Sequence, residues 1–387
     1  MRILHITPSF CPAVGGLENY ILNLCRQLIK NGHSSDVLTI RRKQKTGELL
    51  PIYDKYGDIQ VTRIRCRGTE RFRIFPPLFK YTAGYDLLHI HDVTNFCGYF
   101  AAGKWYHKKP MVVSTHGGFF HTNKYKTLKN IYYRAVLPTI FRRIDKVIAV
   151  SSHDYDIFRR ICQNITVVPN GIDFSAFSLA NKNIQKNTFL YFGRISKNKR
   201  LDNLIDTVCY LKDFIPDIRL NIIGQDWEGL QKHLTEHIKS KGVHNNISFL
   251  GQVTDDILLE ELAKAHFFVS ASQYEGFGLT VLEAMASGTI PIVNDIDPLN
   301  KFIRNRHNGF IVNFSQPRRA ADEIINILRT TPQQQKDVAA NAKTFARSFG
   351  WENIVQNIEA VYLDTLSCRS PIIEHSSPLL SALSEKP

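Results

Sequence analysis

Short apolar runs alternate with longer amphipathic stretches along most of the chain, the pattern left by strands and helices of an open parallel sheet. In the first half, strands are predicted at about 2–7, 35–40, 86–90, 111–115, 146–150 and 165–168. Helices are predicted between them at 17–32, 95–107, 125–144 and 152–163. The polar segment 175–187 reads as a linker. A second series follows, with strands at 188–192, 218–223, 246–250, 266–270, 290–293 and 309–312. Helical stretches at 317–329, 332–347 and 351–366 close the pattern, and the Ser- and Pro-rich tail 369–387 is expected to be disordered.

The expected architecture is α/β: two Rossmann-like, doubly wound parallel-sheet domains facing each other across a cleft. Residues 1–175 form the first domain, 176–350 the second, and 351–368 a helix that packs back on the first. A length of 387 residues with 43% hydrophobic content suffices for two cores. Seven scattered cysteines with no short spacing read as reduced thiols and supply neither a disulfide framework nor a metal site. The N-terminal apolar run meets Pro8 too soon for a signal peptide. No apolar stretch approaches the roughly 20 residues of a membrane-spanning helix. The expectation is a soluble or peripheral protein in the cytoplasm.

Charge changes this picture. The first 180 residues carry 26 Lys and Arg against 12 Asp and Glu, while the remainder carry 23 of each. The whole net charge of +14 therefore lies in the first half and predicts an anionic partner facing it: nucleic acid, anionic lipid or a phosphorylated acceptor. Residues 122–146 hold seven cations, including Lys124, Lys126, Lys129, Arg134, Arg142 and Arg143, interleaved with Tyr125, Tyr132, Tyr133 and Phe141. Arg63, Arg65, Arg67, Arg71 and Arg73, beside Phe72, Ile74 and Phe75, form a second such patch. Both suit an anionic membrane surface.

Candidate chemistry falls on loops that follow strands, where open sheets bind ligands. Gly15-Gly16 opens the first helix, where backbone N–H groups can approach an anion. Gly193-Arg194…Lys199 places two cations five residues apart, a spacing able to straddle a diphosphate. Glu275-Gly-Phe277-Gly278-Leu279-Thr280-Val-Leu-Glu283 sets one carboxylate before a helix and another a turn inside it. The free N–H groups of Gly278, Leu279 and Thr280 lie between them for phosphate oxygens. No G-x-G-x-x-G follows a strand, which argues against a nicotinamide or flavin enzyme.

With these motifs together, residues 1–350 resemble the retaining glycosyltransferases of family 4, which have the GT-B architecture. The resemblance implies a nucleotide sugar held mainly by the second domain, an acceptor held mainly by the first, retention at the anomeric carbon, and no metal or other cofactor. Val113-Ser-Thr-His116-Gly-Gly-Phe-Phe-His121-Thr122 is similar to the corresponding loop of α-mannosyltransferases that build lipid-linked polysaccharide units. It implies GDP-mannose as donor, a polyprenyl-diphosphate-linked glycan or similar acceptor, and His116 near the transferred sugar. His116, Arg194, Lys199 and Glu275 are then the candidate catalytic residues. Gly15, Gly16, Gly193, Phe277, Gly278, Leu279, Thr280 and Glu283 join Arg194, Lys199 and Glu275 in donor binding. Arg200 departs from the glycine usual after the lysine and adds a cation near the phosphates on this reading. Competing readings are a UDP-sugar-dependent transferase, a synthase with a soluble acceptor, a nucleotide-sugar epimerase and a nucleic-acid-binding protein. The last leaves the Glu275 and Glu283 pair without a purpose, since carboxylates repel phosphates.

Overall fold

A computed structural model describes residues 1–13, 15–42, 47–68, 73–116 and 126–367. Arg71, Phe72, His121, Lys124, Tyr125 and the tail 369–387 fall outside the described residues, as does the side chain of Lys126. The chain divides into two compact units: Met1–Gly171 with the final helix Trp351–Ser367, and Ile172–Gly350.

The strands of unit 1 are β1 Arg2–Ile6, β2 Ser34–Ile40, β3 Tyr53–Tyr56, β4 Ile59–Ile64, the short ribbon β5 Arg67–Gly68 with β6 Arg73–Ile74, β7 Leu87–Ile90, β8 Met111–Ser114, β9 Lys146–Ala149 and β10 Ile165–Val167. Eight of them form one sheet in the order β10-β9-β8-β7-β1-β2-β4-β3. All its pairs are parallel except the β3–β4 hairpin. Central strands are apolar on both faces because helices cover both, which is why they read as short continuous runs. One face packs against the helix Gly16–Lys30 and the final helix, with Ile3, Tyr20, Leu24, Trp351, Ile354, Ile358 and Tyr362 buried together.

Unit 2 contains β11 Thr188–Phe192, β12 Arg219–Ile223, β13 Ile247–Gly251, β14 Phe267–Ser270, β15 Ile290–Val293 and β16 Phe310–Ile311. Its parallel sheet runs β13-β12-β11-β14-β15-β16, so the order reverses between β11 and β14. The crevice at such a reversal is where doubly wound sheets take ligands.

Three departures from the sequence reading have local causes. The β3–β4 hairpin was not predicted: its edge strand alternates exposed and half-buried positions around Gly57 and carries no apolar run. The stretch 125–144 is not one regular helix, because a π-helical turn at Tyr132–Val136 separates Lys126–Ile131 from Leu137–Phe141. The segment 175–187 is not a free linker: it begins in a helix, Phe174–Ser178. Asn183 and Gln185 then donate backbone hydrogen bonds to Ala263 and Lys264, binding the segment to unit 2 as a strap.

Candidate active site

The reversal in unit 2 brings together the two loops that carry most of the candidate chemistry. Gly193 follows β11 at φ 145° and lies against Gly224, which ends β12 at φ 149°. A Cβ on Gly224 would sit 1.7 Å from the Gly193 carbonyl oxygen. The backbone of the Gly193–Arg200 loop therefore approaches closer than any side chain permits. Asn198 joins this loop to the one after β14: its carbonyl accepts from Gln273 N–H at 2.8 Å, and its amide donates to the Tyr274 carbonyl at 3.1 Å.

Across this junction the Lys199 Nζ lies 2.6 Å from Glu275 Oε1, and Ser272 Oγ donates to the same oxygen at 2.8 Å. Both charged side chains are about nine-tenths buried. Lys199 thus grips the loop carboxylate, while Arg194 is exposed, with its guanidinium 4.9 Å from the Trp227 ring centroid. Arg200 does not face the same way: it adopts a left-handed conformation and is chelated by Asp202 and Asn203. The extra cation expected there is neutralised within its own turn.

Gly278 begins the helix Leu279–Ala286 at φ 97°. Among the described residues, no hydrogen bond is made by the N–H of Gly278, Leu279 or Thr280, so the helix start presents three donors. Phe277, expected at the donor, is instead buried against Phe302 and Phe349 and works as the anchor of the helix start. Glu283 is half-buried one turn in, with no side-chain partner among the described residues. Burial, with Asp255 adding to it, pushes its carboxyl up to about 7. It can therefore accept or donate a hydrogen bond near neutral pH.

In unit 1 the strand order reverses at β1 and β7, and sequence reasoning missed what gathers there. Register pairs His5 with His89, His91 follows β7, and His116 follows β8 with φ 52°. His91 lies 3.0 Å from His5 and 2.9 Å from His116 through ring nitrogens. His89 is held by the Tyr362 hydroxyl at 2.6 Å and the Ser114 hydroxyl at 2.7 Å. Tyr20 meets the His116 ring edge-on at 4.9 Å. His89 and His91 lie two apart on one run, but His5 and His116 are far from them in sequence, and only the strand order reveals the group.

Burial pushes His5 and His116 down to about 3. His89 and His91 also lie well below the usual range, from burial first and neighbouring histidines second. Unfolded histidines titrate near 6.5, so below that pH the unfolded chain binds more protons and the folded state loses stability. Thermal unfolding should show Tm falling from about pH 6.5 towards pH 4, and falling less in His5→Phe. The same profile in both proteins would contradict this source of acid sensitivity.

Gly15 is extended, at φ −172°, before the first helix, and a Cβ there would meet the Glu18 carboxylate at 2.4 Å. The Gly15–Gly16 turn is thus fronted by the chain's own carboxylate. Of the basic patches, Arg63 is buried, bonded to Asp54 at 2.8 Å and to the Cys11 carbonyl at 2.6 Å, and belongs to no surface. Tyr132, Tyr133 and Phe141 pack towards the core. What the helical stretch exposes is aliphatic: Leu128, Ile131 and Val136, beside Arg134, Arg142 and Arg143, with Lys129 half-buried. Among the described residues no helix is long and apolar enough to cross a membrane.

Residues 14–176 match the family described as Glycosyltransferase Family 4, and residues 176–345 match Glycosyl transferases group 1. The GDP-mannose:cellobiosyl-diphosphopolyprenol alpha-mannosyltransferase of Komagataeibacter xylinus is 30% identical over 96% of this chain and 95% of its own length. The protein of that name from Xanthomonas campestris is 32% identical over 84% of this chain and 86% of its own. Among solved structures, Anabaena Alr3699/HepE in complex with UDP has a TM-score of 0.74 at 19% identity, covering 94% of this chain and 100% of that one.

Proposed function

The chain belongs to the family 4 glycosyltransferases with a group 1 domain, and from that premise we propose that it moves mannose from GDP-mannose to a lipid-linked glycan with retention of configuration. The observation that carries the reading is the junction in unit 2, where Lys199, Glu275, Arg194 and a free helix start surround one sheet reversal. The donor is inferred from relatives whose names specify GDP-mannose and a diphosphopolyprenol acceptor.

In the proposed reaction the bond between the anomeric carbon and the donor phosphate oxygen breaks. An acceptor hydroxyl oxygen bonds to that carbon on the face being vacated, and its proton passes to the leaving phosphate. The departing diphosphate gains about one negative charge, so Arg194, Lys199 and the N–H groups at Gly278 bind it more tightly in the transition state. Gly193 lets the backbone come close to the phosphates. Glu275 orients the hexose and Glu283 the ribose, and His116 in unit 1 is assigned to a hexose hydroxyl. The exposed Leu128, Ile131 and Val136 with Arg134, Arg142 and Arg143 are assigned to an anionic membrane surface, where each cation contributes about 1 kcal/mol.

Thermal denaturation with GDP-mannose and with UDP-sugars in parallel tests the donor. A ligand at 100 times its Kd adds about 2.7 kcal/mol of stability, and GDP-mannose alone should produce the shift. Transfer should then proceed to a polyprenyl-diphosphate-linked glycan, faster on anionic vesicles than in neutral detergent. A shift with a UDP-sugar instead would replace the donor, and equal rates on both surfaces would remove the membrane assignment.

A further inference from the structure

Three imidazoles form a continuous line of ring-nitrogen contacts in unit 1: His5 Nδ1 to His91 Nε2 at 3.0 Å, then His91 Nδ1 to His116 Nε2 at 2.9 Å. At the inner end, His5 Nε2 is buried without a hydrogen-bond partner. At the outer end, His116 Nδ1 has none among the described residues. All three rings are neutral, because burial opposes their charging.

A neutral imidazole has one N–H and one lone pair, so the choice made by one ring is imposed on the next. Only two arrangements satisfy both contacts. In one, every Nε2 carries the proton, the line donates inward, and an N–H is left orphaned at His5. In the other, every Nδ1 carries it, the line donates outward, and His5 buries only a lone pair. Orphaned buried donors are rarer than under-satisfied acceptors, and the second arrangement avoids one. We infer that His5 and His91 are positioning residues that hold His116 as its Nδ1–H tautomer, so that it donates a hydrogen bond to an oxygen of the transferred sugar. The sugar contact rests on the proposed function; the tautomer does not.

The same histidines do not converge as a metal site. Ring nitrogens of His5, His89 and His91 lie within 4.8 Å of one another. Both nitrogens of His89 are already engaged, by Tyr362 and Ser114, and both of His91 by the line itself. On His89 and His91 a cation would have to break these bonds to reach a lone pair, which leaves His5 Nε2 as a single open ligand.

Two-bond ¹H–¹⁵N correlation spectra of the ¹⁵N-histidine-labelled full chain, assigned with His5→Phe and His116→Gln, decide the tautomers. His5, His91 and His116 should each show a protonated Nδ1 and a bare Nε2, unchanged from about pH 8 to pH 5. Protonated Nε2 in all three, or stoichiometric zinc that shifts His5, His89 and His91 together, would overturn the inference. For function, His91→Leu should lower kcat about tenfold, the kinetic weight of one hydrogen bond, with donor KM little changed. His91→Gln should restore most of that loss, since its amide can accept from His5 and donate to His116. Equal losses in the two variants would overturn the positioning role, and if His91→Leu fails to fold, the wild-type spectra still decide. A donor other than GDP-mannose would leave the spectra unchanged, so failure of that reading is separable from failure of this one.

Discussion

Lys199→Ala should lower kcat by roughly 10²–10³, the usual loss when one preorganised charge at a developing anion is removed, while donor affinity falls far less. The expectation follows from where Lys199 sits: it is buried at the junction of two loops and holds Glu275 at 2.6 Å. Its charge is fixed by the fold, so no rearrangement is needed as negative charge accumulates on the leaving diphosphate. Loss of the lysine also leaves Glu275 without its cation, and breaking so buried a pair costs about 3 kcal/mol of stability. Steady-state kinetics at a temperature where the variant remains folded separate the two effects. Adding Glu275→Gln should recover stability without recovering turnover. An unchanged kcat in Lys199→Ala would remove Lys199 from the chemistry.

Gly224→Ala should be the most damaging single-methyl addition in unit 2. The new Cβ would lie 1.7 Å from the Gly193 carbonyl oxygen, and φ at this position is 149°, where a side chain is strained even without the clash. A flexible neighbour could move aside, but this one is backbone, anchored by the Gly193 N–H bond to the Ile223 carbonyl at 3.0 Å. Relief requires β11 and β12 to separate at their carboxyl ends, which dismantles the loop that presents Arg194 and Lys199. The cost should exceed about 4 kcal/mol, a range reserved for core disruption and severe backbone strain. Chemical denaturation measures it, and a loss below about 1 kcal/mol would show that the two glycines do not fix this loop.

Most strands were legible because burial on both faces turns a parallel strand into a short apolar run, as Thr188–Phe192 and Ile290–Val293 illustrate. The junction in unit 2 was legible for a related reason: its residues lie on two local segments, and each segment alone has a distinctive order of glycine, cation and carboxylate. Groups assembled by register were not legible. His5 meets His89 and His91 only because β1 and β7 are neighbours, and nothing local separates it from a tolerated core histidine. Charge read along the chain fails in the same way. Arg63 and Arg65 lie two apart in sequence, yet one is sealed against Asp54 and the other is exposed. Phe277 reads as part of a ligand loop, while its ring belongs to the core.

The final helix, Trp351–Ser367, supplies Trp351, Ile354, Val355, Ile358, Val361 and Tyr362 to a core whose other members come from Ile3 through Val168. On the ribosome this imposes an order of completion opposite to the order of translation. Residues 1–171 emerge first but keep an uncovered apolar face while the next 179 residues are made. Those later residues form a contiguous unit that can close as soon as it emerges. The first-made half is therefore the last to be finished, and during that interval it is the segment most in need of chaperone cover.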